Sequence, residues 1–139
     1  MSSKLEKSIL RAIALFICLV GLAGCVAGAK KDTTATIDTR SVERWSLLIG
    51  GKADKAYDFL SPGYRATKAR KEYAEEMNNR PVHWKEAKFI DKECHEDACN
   101  VRVWVAFTVR MRAGAPETKS GDMLQEKWVN VSGTWYYVP

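Results

Sequence analysis

The residues of this chain best suited to covalent chemistry are its four cysteines. Cys25 follows Leu22-Ala23-Gly24, at the end of an apolar run that begins at Ala12. Three basic residues precede that run: Lys4, Lys7 and Arg11. A basic start, an apolar run and small residues before a cut site are the order of an export signal. The sequence therefore predicts that residues 1–24 are a signal peptide and that the mature chain begins with a cysteine.

The segment Leu22-Ala23-Gly24-Cys25 resembles the lipobox of bacterial lipoproteins. The resemblance implies that the sulfur of Cys25 receives a diacylglycerol and anchors the protein in a membrane of the cell envelope. Val26 stands where an aspartate would retain a lipoprotein in the inner membrane, which implies an outer-membrane address facing the periplasm. An uncleaved anchor is the alternative, because residues 12–29 carry no charge over about 18 residues, the lower limit for a spanning helix. Either interpretation exports residues 30–139.

Cys94 and Cys99 are the pair that remains, because Cys18 lies inside the predicted signal. Outside the cytoplasm such a pair normally forms a disulfide. The polar residues 95–98 predict a turn, so the bond would join two strands across a hairpin and contribute on the order of 2 kcal/mol. Free thiols are one alternative. A metal is another, but the second pair of ligands that a structural zinc site needs is missing. We expect no metal and no cofactor.

Charge and size limit the classes of partner. The net charge is +5, and removal of residues 1–24 takes away three basic residues and one acidic residue, which leaves +3. This excess is small and acidic residues occur in the same segments, so no nucleic-acid partner is indicated. About 115 mature residues suit one domain. Residues 25–40 are mostly small and polar and predict a lipidated cysteine with a flexible tether, followed by the domain at 41–139.

Three helices are predicted at the start of the domain. The first has Thr39 or Ser41 as its N-cap and ends at Gly50-Gly51. The second begins near Lys52 and is ended by Ser61-Pro62-Gly63, because the residue before a proline avoids the helical region. The third runs from about 67 to 79 and is highly charged.

The second half of the domain has the two-residue alternation of strands. Residues 99–112 are the clearest strand, and we expect its apolar face to meet the helices. That face consists of Val101, Val103, Val105, Phe107, Val109 and Met111. Further strands are predicted at Val82–Lys92, Met123–Val131 and Thr134–Val138, with a loop at 113–121. Helices followed by an antiparallel meander predict an α+β fold, in which three helices pack on a curved sheet of about four strands.

Residues 41–138 resemble the nuclear transport factor 2-like superfamily. The resemblance rests on Gly50-Gly51, on the stretch 53–65 and on the closing Gly133-Thr134-Trp135-Tyr136-Tyr137. It implies a cone-shaped α+β domain, and members of the superfamily often dimerise through the sheet. The superfamily includes enzymes that resemble ketosteroid isomerase and polyketide cyclases, with an acid or histidine base inside the cone. Lys52 replaces the acid that usually follows the glycine turn.

No catalytic set is evident in the sequence. Asp58 is the carboxylate that an isomerase-type enzyme would use, but its helical position is opposite Phe59 and predicts exposure to solvent. His83 and His95 have no nucleophile nearby in the sequence. We therefore expect a protein that is not an enzyme. A buried carboxylate or histidine that opens onto a closed apolar cavity would favour the isomerase or cyclase alternative.

Two sets of residues are candidates for binding. Arg102, Trp104 and Arg110 form a candidate interface on the outward face of strand 99–112, although Trp104 covering the sheet is the alternative. Aromatic residues are candidates for the lining of an apolar pocket, with core packing as the alternative: Trp45, Tyr57, Tyr64, Trp84, Phe107 and Trp128. The sequence thus predicts a lipid-anchored envelope protein that binds a partner protein or a small apolar ligand. A purely structural lipoprotein of envelope assembly is the further alternative.

Overall fold

The computed structural model describes residues 36–110 and 114–139. The predicted signal peptide, Cys25 and residues 26–35 of the tether lie outside the described residues, as do Met111 and Arg112. Within them, helices precede strands: α1 Ile37–Ile49, α2 Ala53–Ala56, a 3-10 turn Tyr57–Phe59, α3 Pro62–Thr67, α4 Arg70–Asn78, β1 Val82–His95, β2 Ala98–Val109, β3 Thr118–Val131 and β4 Thr134–Val138. None of the described helices is long and apolar enough to cross a bilayer.

The four strands form one antiparallel sheet in the order β1-β2-β3-β4, so the predicted α+β class and meander are confirmed. β3 begins at Thr118, inside the segment predicted as a loop, because Thr118–Asp122 pairs with Val105–Val109 of β2. Ser132 and Gly133 both have positive φ, 53° and 84°, as the tight turn between β3 and β4 requires.

The core lies between the sheet and the helices. Val101, Val103 and Val105 of β2 are at most 1% exposed and belong to one buried cluster with residues of the helices, as predicted. Trp128 of β3 and Trp135 of β4 extend the same cluster. Burial of each such side chain contributes about 1.5–3 kcal/mol, so this contact between layers is the main source of stability.

The start of α1 corrects the predicted tether. The helix begins at Ile37, with Thr36 as its N-cap position, whereas Thr39 or Ser41 was expected there. Ile37 and Ser41 are fully buried, and the Nε of Arg40 donates a hydrogen bond to the carbonyl of Trp135 at 2.9 Å. Residues 37–40 therefore belong to the folded domain, because their helical turn contributes to its core.

A fourth helix replaces the predicted break at Ser61-Pro62-Gly63. The 3-10 turn ends at Phe59, and Leu60 after it has extended backbone and bridges Tyr137 of β4. The side chain of Ser61 then accepts a hydrogen bond from the N–H of Tyr64, and Pro62 takes the first helical position, where it has no N–H to lose. These three residues start a helix as well as ending one.

Candidate ligand-binding cavity

A cavity of about 360 Å³ lies between the helices and the sheet. α1, α3 and α4 contribute to one side of its lining, and β1, β3 and β4 contribute to the other. Its charged lining residues are Arg44, Glu76, Arg80 and Glu126, and Gln125 is polar and uncharged. The other lining residues are apolar or aromatic: Trp45, Leu48, Tyr64, Tyr73, Met77, Trp84, Leu124, Tyr137 and Pro139. An aromatic lining with a few polar groups is the usual character of a small-molecule site.

Local structure explains why these side chains meet. Arg44 and Leu48 are four apart on α1, and Tyr73 and Met77 are four apart on α4, so each pair shares one helix face. Trp45 of α1 packs edge-on against Trp84 of β1, with ring centroids 5.6 Å apart. The cavity is therefore built from regular elements that the core holds in place.

Glu126 of β3 is the central charged residue of the site, and it is only 3% exposed. One carboxylate oxygen, Oε1, accepts from Arg44 Nη1 at 2.9 Å and from Trp45 Nε1 at 2.8 Å. The other, Oε2, accepts from Ser41 Oγ and from Trp128 Nε1, both at 2.9 Å. Four donors converge on this carboxylate, and three of them can only donate.

The chemistry of Glu126 follows from that count. A carboxylate has about four acceptor positions, and here all four are occupied by protein donors. A general base must instead keep an acceptor position within hydrogen-bond reach of the substrate's proton. Glu126 therefore holds α1 against β3 and fixes the orientation of Arg44. It has no open acceptor position through which it could take a proton from a ligand.

Two buried donors of the cavity lining remain without partners. The hydroxyl of Tyr73 and the Nε of Arg44 make no hydrogen bond to the described residues, although Tyr73 is 1% exposed and Arg44 is 5% exposed. An unsatisfied buried polar group costs about 1–3 kcal/mol. Because these atoms belong to residues that line the cavity, a ligand that supplied the missing acceptor would remove this cost.

Tyr137 of β4 links the two sides of the site. Its ring centroid lies 3.8 Å from the Arg44 guanidinium carbon, and its electrostatic neighbours include Tyr73 and Arg80. Burial raises the pKa of the Tyr137 hydroxyl above its usual value, an effect that the nearby Arg44 partly offsets. Tyr137 is therefore a neutral phenol at physiological pH, next to the two unpartnered donors.

The charged residues of α4 and its C-terminal side are paired with each other. Glu76 accepts from Arg80 Nη2 at 3.0 Å and also pairs with the Nζ of Lys68. Lys68, which does not line the cavity, lies 3.8 Å from Glu72 as well. Lys68 and Arg80 together lower the pKa of the Glu76 carboxyl, and Lys68 has the larger effect. No single-sign charge accumulates at this edge of the cavity.

Of the predicted pocket residues, Trp45, Tyr64 and Trp84 line the cavity. Trp128 lies fully in the core and contacts Glu126, and Tyr57 is buried with its hydroxyl donating to the Lys68 carbonyl at 2.6 Å. Phe107 pairs with Trp84 in the sheet without belonging to this lining. Tyr57 and Trp128 therefore belong to the buried core, whereas Phe107 is half-buried and lies outside that core.

The candidate interface residues are engaged on their own sheet face. Trp104 lies against Gly121, where an added Cβ would come within 2.8 Å of its ring, and the Nζ of Lys88 sits 5.3 Å from its centroid. Arg102 donates to the Asp91 carboxylate, with Nε at 2.7 Å, and Arg110 lies 3.4 Å from Glu117. This arrangement agrees with Trp104 covering the sheet, as the alternative interpretation stated.

The other residues considered for chemistry lie apart from the cavity. Asp58 is exposed and forms an ion pair with Arg70 at 2.6 Å, as its predicted outward position implied. Cys94 and Cys99 are bonded to each other across the β1–β2 hairpin, with Cα atoms 4.0 Å apart, as predicted. In residues 36–110 and 114–139, no three potential ligands among His, Cys, Asp and Glu are grouped so that they could hold a metal.

A larger depression, of about 710 Å³, lies on the outer side of α1 next to Phe89. It is shallow and open to solvent, and Val42 in its wall is 39% exposed. Because ligand sites enclose most of the ligand's surface, the smaller cavity at Glu126 is the better candidate.

Sequence reasoning missed Glu126, Arg44 and Ser41. A signal was present, since Leu124, Glu126 and Trp128 alternate on one face of β3, and a charge between two large apolar residues indicates a buried partner. The partner itself was not visible, because Ser41, Arg44 and Trp45 lie 81 to 85 residues away along the chain.

Comparison with known proteins yields structural neighbours only. No family model and no curated protein matches the chain. The solution structure of a SEC-C motif containing protein from Rhodopseudomonas palustris is similar at a TM-score of 0.53 and 15% identity, over 72% of this chain and 73% of that one. A nuclear transport factor 2-like transpeptidase from Campylobacter jejuni gives a TM-score of 0.44 and 11% identity, over 71% of this chain and 94% of that one. At these identities, what the chain shares with the Rhodopseudomonas protein is an α+β fold.

Proposed function

We propose that this protein is a lipid-anchored envelope protein whose domain binds a small amphipathic ligand without transforming it. One observation carries the proposal: two of the residues that line an aromatic cavity, Tyr73 and Arg44, each carry a buried donor that the described residues leave unpartnered. Binding sites combine an apolar lining with a few directed polar groups, and this cavity has both.

The isomerase or cyclase alternative has one feature in its favour, a buried carboxylate beside a cavity. Glu126 nevertheless lacks an open acceptor position, because four protein donors occupy its two oxygens. Asp58, the other candidate base, is exposed and paired with Arg70. Binding without proton transfer is therefore the function that the described geometry favours.

The envelope address is the part of the proposal that rests on sequence. The lipobox at Leu22-Ala23-Gly24-Cys25 motivates it, and the disulfide between Cys94 and Cys99 is consistent with an oxidising compartment. The nuclear transport factor 2-like family assignment likewise rests on the motifs at Gly50-Gly51 and 133–137. On this proposal a short tether holds the cavity near the outer membrane, facing the periplasm.

Substitution of Cys25 tests the anchor. In the native host, Cys25→Ala should abolish incorporation of labelled palmitate and leave the full-length precursor, because the acylated sulfur is gone. Cys18→Ala is the matched control, since Cys18 lies in the predicted signal and labelling should be retained. Undiminished palmitate labelling of Cys25→Ala would contradict the lipid anchor.

Blocking the cavity tests the binding function. Leu124 lines the cavity, whereas its neighbour Met123 is 46% exposed. Protein purified from envelopes should carry a small molecule detectable by native mass spectrometry. Leu124→Trp should reduce that occupancy at least about tenfold by filling the site, and Met123→Trp should leave it unchanged. Equal occupancy in the two variants would contradict a ligand in this cavity.

A further inference from the structure

Resting on the proposed binding function, we propose that the ligand is uncharged and presents a hydrogen-bond acceptor to the Tyr73 hydroxyl and the Arg44 Nε from an apolar or aromatic body. The ligand's lack of charge follows from the charges of the cavity lining. Its acceptor group follows from the unpartnered atoms, and its apolar body follows from the aromatic rings.

The charges of the lining favour an uncharged ligand. Two cations and two carboxylates line the cavity, and each cation is already paired, Arg44 with Glu126 at 2.9 Å and Arg80 with Glu76 at 3.0 Å. At the buried Arg44–Glu126 pair, a charged ligand of either sign would have to compete with an existing partner, and the other pair, Arg80–Glu76, lies at the exposed edge of the lining. Burial of a charge without a partner is strongly unfavourable, so a neutral molecule fits best.

The unpartnered atoms define the polar group of the ligand. Arg44 Nε can only donate and the Tyr73 hydroxyl can donate, so one acceptor group, such as a carbonyl or amide oxygen, would suit both. Both atoms are buried, although their residues line the cavity. On this proposal the ligand reaches them by a small shift of Tyr73, which packs edge-on against Tyr64 with ring centroids 6.5 Å apart.

The rings define the remainder of the ligand. Trp45 and Trp84 meet edge to face, which leaves apolar ring surface in the same cavity as Leu48 and Met77. Aromatic rings favour offset-stacked or edge-to-face neighbours, so a further ring is a suitable partner for this surface. A planar bicyclic amide is therefore a suitable probe for this site.

Two probes that differ in charge test the assignment. Binding of 2-naphthamide and of 2-naphthoate is measured by calorimetry with the mature protein in lipid nanodiscs, and empty nanodiscs serve as the blank. We expect the amide to bind at least about tenfold more tightly than the carboxylate at neutral pH. Tyr73→Phe should weaken the amide about fivefold and leave the unfolding midpoint unchanged or raised, because the lost hydroxyl had no partner.

The control and the outcomes separate this inference from the proposed function. Tyr57→Phe removes a hydroxyl outside the cavity lining and should leave the affinity for the amide unchanged. Equal or tighter binding of 2-naphthoate would overturn the uncharged ligand, and an unaltered amide affinity in Tyr73→Phe would overturn the acceptor, with the binding function intact in both cases. If neither probe bound the wild-type protein, the proposed function would fail together with the inference.

Discussion

Glu126→Gln should lower the free energy of unfolding by about 3–5 kcal/mol, the cost of breaking a buried ion pair from one side. Arg44 is 5% exposed and would lose its charged partner. The amide also introduces an NH₂ group among donors. If that group replaces Oε1 it faces Arg44 and Trp45, and if it replaces Oε2 it faces Trp128.

Urea denaturation followed by tryptophan fluorescence measures this effect. Glu86→Gln is the matched control, because Glu86 is an exposed β1 carboxylate whose ion pair with Lys88 is 3.0 Å long. Exposed pairs contribute about 0–1 kcal/mol, so the control should change little. A loss below about 1 kcal/mol in Glu126→Gln would contradict the assigned role of this carboxylate.

Leu60→Ala should cost about 3 kcal/mol, within the range for truncation of a fully buried leucine. Leu60 is 0% exposed and connects the 3-10 turn to α3 beside β4, where the next residue, Ser61, donates its N–H to the Tyr137 carbonyl at 2.8 Å. The segment after it carries Tyr64 and Tyr73 to the cavity. The substitution should therefore weaken ligand binding as well as stability.

The same urea denaturation compares Leu60→Ala with a control variant, Val42→Ala. Val42→Ala shortens an apolar side chain that is 39% exposed on α1, and surface changes of this kind lie within about 0.5 kcal/mol. If Leu60→Ala and Val42→Ala lowered the free energy of unfolding equally, the buried packing of Leu60 would not be what holds this segment to the core.

Parts of the strands were predictable from the sequence, because burial there follows the alternation of residue types. In β2 the predicted alternation fails beyond Val105, where Thr108 is 5% exposed and Phe107 and Val109 are only half-buried. The apolar face at Val101, Val103 and Val105, the β4 bounds and the Ser132-Gly133 turn all depend on local pattern and local backbone preference. Local rules suffice where an element buries one apolar face and exposes the other.

The helices and the site were less predictable because their partners are distant. Ser41 and Arg44 are polar, so a hydrophobic pattern assigns them to a cap or to solvent, yet both are buried through hydrogen bonds to Glu126. Ser61-Pro62 is compatible with ending one helix and with beginning another, and the N-cap bond to Tyr64 decides between the two. The cavity arises where these elements meet, and no single segment encodes it.

A crystal structure of the protein soaked with 2-naphthamide tests the central claim, that the cavity beside Glu126 is a ligand site. We expect the naphthyl group among Trp45, Trp84 and Met77, with its amide oxygen within hydrogen-bond distance of the Tyr73 hydroxyl or Arg44 Nε. An empty cavity at saturating probe, or a probe bound only outside it, would contradict the account.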